Sequence, residues 1–175
     1  GEDLIAAAQI MESELGRLLN REDRMGLERW LRLLPITLVQ SRPGLLMIKA
    51  FVGNFRWQLE DVARYTQQAE ALLAQDENLN LSSDTRACIK GQIATLNSQY
   101  AFSRRQIKVA IQNAKEAYAL LPPSYTYLRG AAMFWYALSM QVSGQAETAE
   151  SELQAIFEEQ SNKGDSFALR LLMAI

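Results

Sequence analysis

Aromatic rings and side-chain amides recur along three stretches of this sequence: Met47, Phe51 and Asn54, then Gln92, Thr95, Gln99 and Phe102, then Tyr127, Phe134 and Gln141. Such a mixture can stack on and hydrogen-bond a neutral polar ligand, or hold a peptide. The same residues can also be ordinary core aromatics beside solvated amides. Arg104, Arg105 and Lys108 form a small basic cluster that suits a carboxylate or phosphate, or simply a wet surface.

Catalytic chemistry has less to work with. The chain has no histidine, so the usual general base, metal ligand and pH switch are missing together. Glu60 and Asp61 are adjacent and point to different sides of a helix, which does not make an acid/base pair. Cys88 has only Arg86 and Lys90 as basic neighbours along the chain and reads as a small buried thiol. The sequon Asn80-Leu81-Ser82 is a frequent chance match. No metal or other cofactor is expected.

The elements that position these residues follow from helical periodicity. Leu4, Ala8, Met11, Leu15 and Leu18 predict a first amphipathic helix. After the polar break Asn20 to Asp23, Leu27, Trp30, Leu31 and Leu34 predict its antiparallel partner, stopped by Pro35. Pro43 is placed as a first-turn proline for a helix to about Phe55. Leu59, Val62, Ala63, Ala69, Leu72 and Leu73 form the stripe of its partner. A polar loop from Asp76 to Ser83 follows, with Ser82, Ser83 and Asp84 offering caps for a long helix to about Phe102.

Ile107, Ala110, Ile111, Ala114, Ala117 and Leu121 mark the return, ended by Pro122 and Pro123. Ser124 is expected to cap a fourth outgoing helix that ends near Ser143-Gly144, and Ala149, Leu153, Ile156 and Phe157 lie on its return. Gly164 and Asp165 read as a C-cap and an N-cap flanking a final helix. The sequence stops on the apolar run Leu171 to Ile175, which suggests a fragment of a longer chain, because repeat arrays normally close with a polar face.

The turns at Glu22, Trp57, Arg105 and Gly144 are spaced by 35, 48 and 39 residues, which bracket the 34-residue tetratricopeptide unit. Small residues, Ala69, Ala110, Ala117 and Ala149, stand where helices must approach closely. The fold expected is all-α: a right-handed solenoid of antiparallel helix pairs, tetratricopeptide-like, about four and a half repeats in one domain over residues 1–175. The first helix of each pair would then line a concave groove, and the three aromatic and amide stretches all fall on such helices.

Three strings carry a family resemblance. Arg29-Trp30-Leu31-Arg32-Leu33-Leu34-Pro35, then Ser41-Arg42-Pro43-Gly44-Leu45, then Ala69-Glu70-Ala71-Leu72-Leu73 resemble the helical-repeat region of MalT-like, LuxR-type transcription regulators, and Ala117 to Pro122 is similar to the end of one of their repeats. The likeness is strongest over residues 15–75 and departs at Trp57 and Arg105, where that family tends to place a small turn residue. The resemblance implies a sensor region that receives a small-molecule inducer or a protein in its groove and signals to other domains of a parent regulator. The ATPase and DNA-binding modules of that family are not expected here, since the sequence has neither a phosphate loop nor a basic recognition helix. A general tetratricopeptide adaptor for a peptide or partner protein is the alternative.

A net charge of -2 and a pI of 5.3 offer no broad field for a polyanion, so direct nucleic-acid binding is not expected. The most apolar stretch, Leu45 to Val52, is far shorter than the roughly 20 residues of a membrane span. A lone cysteine and no evident signal segment point to a reducing, cytoplasmic setting.

Overall fold

A computed structural model describes residues 2–75 and 81–160, with the side chains of residues 2, 159 and 160 left aside. Among the described residues the protein is all-α. Nine helices, packed mostly with their sequential neighbours, form an arrangement consistent with helical repeats. They are α1 (Glu2–Asn20), α2 (Arg24–Leu33), α3 (Ile36–Gln40), α4 (Pro43–Phe55), α5 (Leu59–Gln75), α6 (Ser83–Ser103), α7 (Ile107–Leu120), α8 (Thr126–Val142) and α9 (Ala146–Gln160). The chain divides into two compact units between Ile93 and Ala94, inside α6. Gly164, Asp165 and the closing apolar run lie outside the described residues.

All four turns read from the sequence have one backbone form. Glu22, Trp57, Arg105 and Gly144 take φ values of 54°, 57°, 59° and 78°, in the left-handed region. At each, two amides close back on the helix just ended. Glu22 N and Asp23 N donate to Leu19 O and Leu18 O, and Trp57 N and Gln58 N to Asn54 O and Gly53 O. Likewise Arg105 N and Gln106 N donate to Phe102 O and Ala101 O, and Gly144 N and Gln145 N to Gln141 O and Met140 O. This is the Schellman pattern, which satisfies carbonyls the helix end would otherwise orphan.

The side chains keep the same register. Four residues before each left-handed position, Leu18, Gly53, Ala101 and Met140 are all buried. Five residues after it, Leu27, Val62, Ala110 and Ala149 are buried as well. Helical hairpins of one construction therefore recur along the sequence, and the small residues Ala69, Ala110 and Ala117 are fully buried, as close helix approach demands.

In the first unit α1 packs on α2 and α4, α4 on α2 and α5, and the five-residue α3 also lies on α4. Periodicity did not foretell α3. It is too short to show a stripe, and it follows directly on Pro35, which holds its N-cap position with φ −58° and an extended ψ of 139°. Arg42 ties α1 to the start of α4 through a half-buried ion pair, its Nη2 2.5 Å from Glu12 Oε2. The start of α6 is joined to α5 by Arg86 Nη1, which donates to Leu73 O at 2.6 Å. Ser82 is the cap expected there, its Oγ accepting from Thr85 N at 3.1 Å.

In the second unit α8 packs on both α7 and α9. Ser98 Oγ, fully buried on α6, donates to Ala110 O at 3.0 Å. The cap expected of Ser124 is not made: α8 begins one residue later than that, with Tyr125 at the N-cap position and no side-chain cap bond. Pro122 O instead accepts from Tyr125 N in a tight turn.

Candidate binding surfaces

In the first unit, the expected groove residues of α4 are core. Met47 and Phe51 are 0% and 1% exposed. The helix is apolar nearly all round and is covered by α1, α2, α3 and α5, so it has no free face to offer. These two residues contribute packing rather than ligand contacts. Asn54, near the end of α4, is half-buried, and its Oδ1 is enclosed without a hydrogen-bond partner.

Gln92 is also buried, at 3% exposure. Its Nε2 donates weakly to Cys88 Sγ at 3.5 Å, while Oε1 has no partner. Further along α6, in the second unit, Thr95 and Gln99 are buried too. The reading of these amides as solvated side chains does not hold for Gln92 and Gln99: they are packed away with the core.

The second unit does bring two of the expected residues together. The Phe102 ring, at the end of α6, lies 5.4 Å from the Trp135 ring on α8, tilted by 47°. Phe134 meets the same indole edge-on at 5.2 Å. All three rings are half-buried, so they form an aromatic platform that is rigidly packed and still partly open. In the sequence Trp135 is one of a run of apolar residues, Met133 to Ala137. No spacing rule distinguishes a bridging indole from a core one.

Tyr127 and Gln141 do not join that group as one contact point. They are 14 residues apart on α8, about 21 Å along the axis at 1.5 Å per residue. Tyr127 is half-buried near the start of the helix; Gln141 is exposed at its end.

Elsewhere in the second unit, a cavity of about 110 Å³ is lined by Lys115, Tyr118, Met133, Tyr136, Glu152 and Ile156. Tyr136 Oη donates to Glu152 Oε2 at 2.5 Å, and Lys115 Nζ sits 3.7 Å from the same oxygen and 5.1 Å from the Tyr136 ring centre. Burial, then the bond to Glu152 and its negative charge, push the Tyr136 phenol well above its usual pKa. The phenol is held neutral as a donor that joins α8 to α9.

Arg129 is buried, and among the described residues it pairs with no carboxylate. Its Nη1 donates to Tyr118 O and Leu121 O, both at 2.8 Å, and the guanidinium lies 3.8 Å from the Tyr118 ring centre. It thus neutralises the carbonyl end of α7 and fastens α8 to it. No sequence pattern marks this role, because one arginine in an apolar helix looks like any snorkelling side chain.

The residues considered for chemistry are scattered. Asp61 pairs with Arg64 at 2.6 Å, Glu60 is exposed, and Cys88 is buried. Arg104, Arg105 and Lys108 are all exposed, with Arg104 over the Tyr100 ring. Among the described residues no group of three metal-ligating side chains converges, and no helix is long and apolar enough to cross a membrane. Comparison of the chain with protein families, with curated proteins and with solved structures finds no match in any of the three.

Proposed function

We propose that this chain is a non-catalytic recognition domain, a right-handed tetratricopeptide-like solenoid that binds a segment of a partner protein. The observation that carries this reading is the aromatic platform of Phe102, Phe134 and Trp135, three packed but half-open rings suited to an apolar or aromatic anchor. The burial of Gln92, Thr95 and Gln99 favours a peptide over a small polar inducer, because it withdraws the groups such an inducer would use for hydrogen bonding.

Its place in a larger protein is proposed on different grounds. The ordered strings from Arg29 to Pro35, Ser41 to Leu45 and Ala69 to Leu73 support a sensor region in a MalT-like, LuxR-type regulator, where occupancy of the repeats would bias the parent protein between two states. A general adaptor with no regulatory parent is the second reading, favoured by the same burial of the amides.

The experiment is a thermal-unfolding screen of the chain against short peptides, sugars, nucleotides and amino acids. A stabilising peptide whose effect disappears in Trp135→Ala supports the proposal. A sugar or nucleotide that stabilises while peptides do not would replace the partner segment with a small inducer.

A further inference from the structure

We infer that the turn edge of the first unit, where Met25 and Trp57 stand in solvent, is a docking surface for a partner-protein segment carrying an aromatic or large aliphatic anchor beside one or two carboxylates. Trp57 is 71% exposed and Met25 83% exposed. Trp57 also occupies a left-handed position, φ 57°, that glycine fills in the fourth hairpin. A bulky side chain is strained there, and an indole so exposed returns little burial in compensation. Glu22 and Arg105 bear the same backbone strain in their own hairpins, so what folding leaves unexplained at Trp57 is the exposed indole itself, and tryptophan is among the residue types enriched at binding hot spots.

Two contacts hold the turns that carry these residues against each other. The Arg24 guanidinium lies 4.8 Å from the Phe55 ring centre, and Arg56 Nη2 is 2.8 Å from Glu28 Oε2. These stitch the turn between α1 and α2 to the turn between α4 and α5. Met25 follows Arg24 and Trp57 follows Arg56. On α2, Met25, Arg29 and Arg32 share a face at spacings of four and three residues, with Leu33, 70% exposed, beside them. A shallow depression of about 300 Å³ is lined by Asp23, Met25, Gly26, Glu28, Arg29 and Arg32.

Charge decides the occupant. The Asp23 carboxylate is committed to capping, accepting from Gly26 N at 2.8 Å. Glu28 is shared between Arg56 and, at 3.6 Å, Arg32. Arg29 is exposed and has no ion-pair partner among the described residues. The edge therefore offers apolar side chains and an uncommitted guanidinium, on a chain whose net charge is -2. A segment with a carboxylate next to its anchor meets both; a basic segment is repelled.

The test uses fluorescence anisotropy with two sets of labelled synthetic peptides, Trp or Leu anchors flanked by Asp and Glu, and the same anchors flanked by Lys. Binding of the acidic set alone is expected, with the Trp57 indole N–H signal shifting on titration. Trp57→Gly should weaken that binding about tenfold or more while raising the unfolding temperature, so a folding defect cannot explain the loss. Arg29→Glu should weaken it comparably. The inference is overturned if no acidic peptide binds, if the Lys set binds as well, or if Trp57→Gly binds unchanged. A dimer of the chain that Trp57→Gly dissolves would also overturn it, making the occupant a second copy.

Discussion

Gly144 and Trp57 hold the same position in two hairpins, and exchanging their chemistry isolates what the shared turn costs. A side chain with a Cβ in the left-handed region is disfavoured by roughly 1–2 kcal/mol. Replacing glycine also removes freedom from the unfolded chain, which offsets about 0.4–1 kcal/mol. Gly144→Ala is informative because a Cβ there meets no atom within 4 Å, so the backbone penalty is unmixed with any clash. The net loss is about 1 kcal/mol, or a fall in unfolding temperature of roughly 2–4 °C for a protein of this length. Trp57→Gly and Arg105→Gly should move the other way by a similar amount, since both side chains are exposed and surrender little packing. Urea unfolding monitored by circular dichroism, with midpoints compared at constant slope, measures all three. If Gly144→Ala is neutral while Trp57→Gly destabilises, the four turns do not share one backbone form and the repeat register is wrong.

Tyr136→Phe should cost about 1 kcal/mol through the lost bond to Glu152, read from the same urea midpoints. The Tyr136 phenol titrates above its unfolded value of about 10, so the unfolded chain releases this proton first. Its contribution is complete below pH 10 and is lost as the pH rises further, and Tyr136→Phe should flatten that alkaline decline in a stability–pH series. Arg129→Met should destabilise by about 2–3 kcal/mol in denaturant unfolding, because it strands the Tyr118 and Leu121 carbonyls at the end of α7. Ser139→Ala should be neutral or slightly stabilising in the same assay, since the fully buried Ser139 Oγ has no hydrogen-bond partner to lose.

The hairpins were legible in sequence because their signals are local. Stripes such as Leu4 to Leu18, the break at Asn20 to Asp23 and the cap at Ser82 each state a boundary within a few residues. The fate of the inner-face polar residues was not legible. Helical spacing places Gln92, Thr95 and Gln99 on one side of α6, but whether that side is open or covered depends on packing that periodicity does not encode. For α4 the opposite difficulty applies: apolar on nearly every side, it carries no stripe from which a free face could be read, and α3 adds unforeseen cover. Arg129 and Tyr136 escaped notice for a third reason, since their partners are backbone carbonyls of α7 and a carboxylate on α9, joined only by the fold.

The most direct test of partner binding is thermal unfolding of the chain with and without the peptide panel, beside Phe134→Ala and Trp135→Ala. A peptide present at 100 times its dissociation constant should add about 2.7 kcal/mol, a rise of roughly 5–11 °C. Such a rise is expected in the unaltered chain, with its loss in both variants. An equal rise in all three proteins would contradict that expectation, and so would a panel that leaves every unfolding temperature where it was.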